Sequence, residues 1–327
     1  MKKMACKCAF VLAGLSALYS TVASAEVNTV SFAHQNGWAY TTLYVMQEQH
    51  LVEKQAKLAG IELKADYKNL GSPGVIRDAL IAKQVQFGAV GIPTLITLAD
   101  KTNREYQAVG NIVSLPMYLN TTEQVKSVCD IKGKIALPTI KTSVQAVTLQ
   151  MAAKQQCGNA LALDSKTVSM THPDGMASLL NGQVAAHFTS PPFQYVELEE
   201  SQGKVKRLLN SYDVLGGKTS FIVLVGSNSF RQENPKAFIA VTKAFEEAQN
   251  WISSHRAEAA ALYVKSEKPR ESVADVTKQM ASPEVLFDVT PNRIGVYARF
   301  MHEIGTVKHS LSWQELTMPN LHTKSGS

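Results

Sequence analysis

Catalytic signatures are missing from this chain of 327 residues. It has no Gly-x-Ser-x-Gly elbow, no His-Glu-x-x-His helix, no glycine-rich phosphate loop ending in lysine, and no Cys/His spacing suited to zinc. His302 is followed by Glu303, but the second histidine of a zinc helix is absent. These absences lower the expectation of catalysis without excluding it, since catalytic groups can be assembled from distant residues. Also lacking are a basic cluster interleaved with aromatics, which argues against nucleic acid, and any block of like charge that would mark a disordered tail. There is no Pro/Ser-rich linker and no low-complexity stretch.

Cysteine is scarce: Cys6, Cys8, Cys129 and Cys157 are all there is. The first two lie in a segment with Lys2, Lys3 and Lys7, an apolar run from Cys8 to Leu18, and the triplet Ala23, Ser24, Ala25. That is the three-part pattern of a cleaved secretory signal. The apolar run is about half the ~20 residues that span a bilayer, so export with cleavage near Ala25 is expected in place of a membrane anchor. Removing residues 1–25 takes away three lysines and no acid, so the net charge falls from +6 to +3. The roughly 300 residues that remain exceed one comfortable core and imply two lobes. In an oxidising compartment the two surviving cysteines can pair. Cys129 precedes an expected strand, Lys134 to Leu137, and Cys157 ends the helix that returns alongside it, with the stripe Val144, Val147, Met151. Two separate thiols are the alternative.

What the chain has in plenty is alternation of strand and helix. Expected strands are 27–33, 61–67, 86–90, 134–137, 185–188 and 219–226. The stretch from Gln35 to about Lys57 reads as a turn and helix, and Asn234 with Pro235 should cap a helix striped by Phe238, Val241, Phe245, Ala248 and Ile252. This order implies an α/β fold of mostly parallel sheets covered on both faces. Two stretches repeat: Leu80 to Pro93 and Leu179 to Pro192 share Leu-x-x-x-Gln-Val, an apolar strand and a proline. Extended segments at 108–119 and 215–226 bracket the middle of the chain and read as crossings between lobes.

Polar residues gather at the expected strand ends, where open α/β sheets present amides to ligands. Gln35 and Asn36 follow the first strand, with Trp38 either walling a ligand or packing on the next helix. Gly71 and Ser72 open a helix, Ser72 as an N-cap that could leave amides for an anion. Gly91 permits close backbone approach. In the middle portion Lys141, Thr142 and Ser143 form a candidate oxyanion corner, unless Ser143 is only a cap and Lys141 points into water. The matching corner holds Ser190 and Phe193, the latter stacking on a ligand or packing in the core. His187, inside an apolar strand, reads as a core histidine.

The segments GVIRDALIAKQVQFGAVGIP (74–93), VKSVCDIKGKIAL (125–137), DGMASLLNGQVAAHFTSPPF (174–193) and SWQELTMPNLHTKSGS (312–327) resemble the periplasmic solute-binding proteins of ABC importers in the nitrate, sulfonate and taurine group, which includes binders of thiamine-pyrimidine precursors. The resemblance covers essentially the whole mature chain. It implies a two-lobed type II periplasmic-binding-protein fold with two crossing strands. Lobe I would be residues 26–112 and 220–327, lobe II residues 113–219. It also implies a monomer without cofactor or metal, which takes a small anionic organic solute, such as a sulfonate, carboxylate or pyrimidine precursor, and passes it to an inner-membrane permease. By analogy Thr219 also faces the ligand. Lys141, Thr142 and Ser143 stand where many members carry Gly-Ser. The competing readings are an enzyme on the same scaffold, of the pyrimidine-precursor synthase kind, and a sensory binding protein serving a membrane receptor.

Overall fold

The computed structural model describes residues 26–324 and 326. The expected export signal lies outside the described residues. Ten strands follow in chain order: β1 (Thr29–His34), β2 (Lys64–Asn69), β3 (Phe87–Gly91), β4 (Tyr106–Ser114), β5 (Tyr118–Thr121), β6 (Ile135–Leu137), β7 (Thr167–Ser169), β8 (Ala186–Thr189), β9 (Lys206–Asn210) and β10 (Ser220–Ser227). They form two five-stranded sheets, ordered β2-β1-β3-β10-β4 and β7-β6-β8-β5-β9.

Both sheets are built alike. The strand-helix-strand units give parallel pairings, β1 with β2 and β3, and β6 with β7 and β8. A strand arriving from the other half is then inserted antiparallel: β10 between β3 and β4, and β5 between β8 and β9. Each sheet is therefore mixed, because a chain that leaves one lobe and returns enters against the local strand direction. The outward passage is Leu115–Met117 between β4 and β5. The return leaves a short helix, residues 211–215, ended by Gly216 at φ 73°, and of the expected extended segment 215–226 the strand β10 takes up residues from Ser220 onward.

The repeated segments occupy equivalent places. Helices Pro73–Ile81 and His172–Leu180 lead into β3 and β8, the third strand of each sheet, and both start from a hydroxyl cap. Ser72 accepts from the Val75 amide at 3.4 Å, and Thr171 accepts from that of Asp174 at 3.4 Å.

Helix Pro235–Ser254 buries all five residues of its expected stripe. Its cap differs. The Asn234 side chain accepts from the Val27 amide at 2.9 Å, and the Glu26 carboxylate takes the first-turn amides of Lys236 and Ala237 at 3.0 and 2.7 Å. An anion at a helix N-terminus gains from both the unpaired amides and the helix dipole. The expected single helix up to Lys57 is broken: His50 at φ 50° separates Thr41–Glu48 from Leu51–Leu58.

Cys129 and Cys157 are joined, with Cα atoms 5.7 Å apart. The bridge ties the start of the β6 corner to the end of helix Val144–Cys157. Residues 144–153 of that helix are all buried, so it has no solvent face over its first turns. The reason is its position: it packs on helices Ile92–Lys101 and Gly295–Glu303 of the first lobe as well as on its own sheet.

Candidate functional site

The two lobes meet at the carboxyl ends of their parallel strands. The first lobe contributes Gln35 and Tyr40 after β1, Pro73 at a helix start, Gly91 at the end of β3, and Phe221 and Ile222 on β10; the second contributes Pro138, Val144, Gln145 and His172. The space they enclose is about 10 Å³, room for about one water molecule. The described conformation is therefore closed. Gly91 makes this contact possible, since a Cβ built there would stand 2.1 Å from Cγ2 of Val144. Further links cross the seam: Thr94 Oγ1 donates to the Thr142 carbonyl at 3.0 Å, the Thr148 and Tyr297 hydroxyls lie 2.9 Å apart in the interior, and Arg270 meets Glu200 at 2.6 Å.

His172 is buried among polar neighbours. Its Nδ1 lies 2.8 Å from the Thr189 hydroxyl and its Nε2 3.2 Å from that of Ser190, while its ring stacks on Phe193 with centroids 5.5 Å apart. Burial, with the neighbouring His187 second, holds this imidazole well below its ordinary pKa of 6.5. It is a neutral hydrogen-bonding group. Tyr40 is held protonated by burial first and by the Glu267 charge second. Gln145 is 2% exposed, and its Nε2 finds no protein partner; nor does the Thr142 hydroxyl. A buried amide without an acceptor costs about 1–3 kcal/mol, which a bound solute can recover.

The sequence-selected residues divide by place. Gln35 and Gly91 line the enclosed space; Ser190 and Phe193 stand directly behind His172. Ser143 is a cap, accepting from Ala146 at 3.1 Å, and holds the helix that carries Gln145. Gly71, at φ 72°, lies across from Thr171 of the other lobe, beside the capping Ser72. Asn36 is half-buried and accepts from the Asn69 side chain. Only Gln35 and Gly91 of the selected residues line the space itself, and three others are engaged or exposed elsewhere. Trp38 is buried in its lobe, donating to Gln279 Oε1 at 2.8 Å beside Phe287, the packing alternative. Lys141 is exposed, at φ 66°, and Thr219 donates to the Gly217 carbonyl at 3.0 Å. The amide of Gly37 is also occupied, by the half-buried Glu267 carboxylate at 2.9 and 3.0 Å.

Tyr40, Gln145 and His172 escaped the sequence reading. A signal for His172 was present: it lies 99 residues after Pro73, the spacing of the repeat, and both line the enclosed space. His187 is the buried histidine expected, its Nδ1 2.5 Å from Glu197, which also accepts from Asn120 at 2.8 Å.

A family model described as "NMT1/THI5 like" matches residues 21–259. The chain belongs to this family. Its fold is that of the two-domain periplasmic binding proteins. The alkanesulfonate-binding protein SsuA from Xanthomonas axonopodis pv. citri, bound to MOPS, superposes with a TM-score of 0.70 at 16% identity, covering 88% of this chain and 97% of that one. The aliphatic sulphonate-binding SsuA from Escherichia coli gives 0.65 at 18%, covering 90% and 92%. The nitrate-binding protein NrtA from Synechocystis PCC 6803 gives 0.70 at 14%, covering 88% and 83%. No curated protein sequence matches the chain. Among the described residues no helix is long and apolar enough to cross a membrane, and no cluster suited to a metal ion occurs.

Proposed function

We propose that this member of the NMT1/THI5-like family is the extracytoplasmic solute-binding component of an ABC importer. It takes a small organic solute between its lobes and releases it unchanged to an inner-membrane permease. The lobes divide near residues 112/113 and 219/220, and the mature chain begins near Glu26. A sulfonate, a carboxylate and a pyrimidine-type solute are the classes the family resemblance leaves open.

One observation carries the reading: the seam closes on hydrogen-bonding groups drawn from both lobes, Gln35 and Tyr40 from one and Gln145 and His172 from the other. Of these, Gln145 Nε2 has no protein partner, and a solute held between the lobes would supply one. A ligand favours closure only by its extra contacts in the closed state. We assign the site no catalytic step, because its polar groups are a neutral imidazole, carboxamides and hydroxyls with no activated nucleophile among them. The test is calorimetry and thermal unfolding of the mature protein against a solute panel. One-to-one binding and a raised Tm are expected, by about 2.7 kcal/mol of stabilisation at a hundredfold excess over Kd. Product formation from any bound compound would reverse the assignment in favour of an enzyme.

A further inference from the structure

The charge inventory of the seam narrows the solute, taking the binding reading above as its basis. None of the ten residues lining the enclosed space carries a formal charge when His172 is neutral. The one lysine of the corner, Lys141, is exposed. An anion could still be held by main-chain amides at helix starts. Here most of those starts are depleted. Pro73, Pro93 and Pro173 occupy the first or second position of helices 73–81, 92–101 and 172–180, and each removes an N–H where an oxyanion would need one. Asp174 places a carboxylate in the first turn of helix 172–180, offsetting its dipole. The Ser72, Ser143 and Thr171 side chains consume three further first-turn amides.

What the seam offers instead is neutral and paired. Gln35 and Gln145 face the space from opposite lobes, and Gln145 Nε2 is an unpartnered donor. Three aromatic residues, Tyr40, His172 and Phe221, are among its lining. We infer that the cleft selects an uncharged, planar solute bearing amide-type donors and acceptors and rejects anions of the same size. An anion taken between these surfaces as the lobes close would lose its hydration without a compensating cation. An uncharged amide edge satisfies the carboxamides at no such penalty.

The experiment compares matched pairs on the mature protein by calorimetry and thermal shift: nicotinamide with nicotinate, benzamide with benzoate, and orotamide with orotate. In any pair that binds, the uncharged member should bind at least about tenfold tighter, Gln145→Leu should weaken it about tenfold, and Lys141→Ala should change it less than about twofold. Equal or tighter binding of the anion, or loss of binding in Lys141→Ala, overturns the inference while leaving the solute-binding reading intact. If no pair binds, the solute released from protein purified without refolding decides by its net charge at pH 7, uncharged supporting the inference and anionic overturning it. Absence of both binding and released solute removes the solute-binding reading and this inference with it.

Discussion

Gly91 is the position where one methyl group decides whether the lobes can meet. A Cβ there would overlap Val144 at 2.1 Å, and a β-branched valine cannot swing aside as a long flexible chain would. Gly91→Val should therefore leave each lobe folded but hold the seam open. Small-angle scattering should show a larger radius of gyration than wild type, and solute affinity should fall by more than tenfold. The buried His187–Glu197–Asn120 chain makes a second residue-level prediction. Glu197→Ala strips the imidazole of its partner inside a fully buried site and should destabilise the protein by about 3–5 kcal/mol in urea titrations, with Glu197→Gln costing less. Acidification makes a third. His34 is held below 6.5 by burial, against a raising bond to the Gln35 carbonyl, and His172 is held well below it. The unfolded chain thus takes up protons that the folded one refuses, so stability present above pH 6.5 is lost as pH falls below it. Each imidazole contributes a slope of at most about 1.4 kcal/mol per pH unit, and His172→Gln should flatten the urea-midpoint profile between pH 7 and 5. At this scale the sequence was informative where a residue acts on its own neighbourhood. Ser72 and Ser143 could be read as caps because the bond they make lies three residues away. Trp38 could not be placed, since its partner Gln279 is 241 residues distant.

Elements show how two similar halves came to carry different interiors. Under the 99-residue repeat, Ile76 and Gly88 of the first lobe correspond to Gly175 and His187 of the second. In one lobe the helix supplies bulk and the strand has none: a Cβ on Gly88 would lie 2.7 Å from Ile76 Cγ2. In the other the roles reverse, and a Cβ on Gly175 would lie 2.4 Å from His187 Nε2. The swap preserves volume and turns an apolar contact into a niche for a polar chain. Gly175→Ala should accordingly cost about 1–3 kcal/mol by overpacking, read as a lowered urea midpoint. The disulfide acts on a whole unit, closing a span of 28 residues from the β6 corner to the end of helix Val144–Cys157. Cys129→Ser with Cys157→Ser should lower unfolding free energy by about 3 kcal/mol, and dithiothreitol should do the same to wild type without affecting the double variant. The alternation of strands and helices along the chain and the helix stripes were legible because periodicity is local: the five apolar positions of helix Pro235–Ser254 are all buried as their spacing implies. The cap of that helix was not, because Glu26 reaches it from the far end of the chain.

On the scale of the molecule, each sheet holds one strand arriving from the other half of the chain. In the closure we propose, those strands stay anchored in their sheets and bending falls in the short segments between β4 and β5 and before β10. This architecture could be foreseen from alternation, the repeat and the two long extended segments. The inner lining could not, because which side chains face the seam depends on strand register and helix rotation that spacing alone does not set. Val75 and Ile140, both exposed, flank the seam where a Cβ built on Gly74 would lie 3.4 Å from the Thr139 side chain of the other lobe. They suit a direct reading of closure. Spin labels at Val75→Cys and Ile140→Cys, measured by pulsed electron–electron distance spectroscopy, should give one short distance in protein carrying its co-purified solute. After solute removal the distribution should lengthen and broaden, and return when the released solute is added back. An identical distance in all three samples would contradict the claim that two lobes shut around a bound molecule.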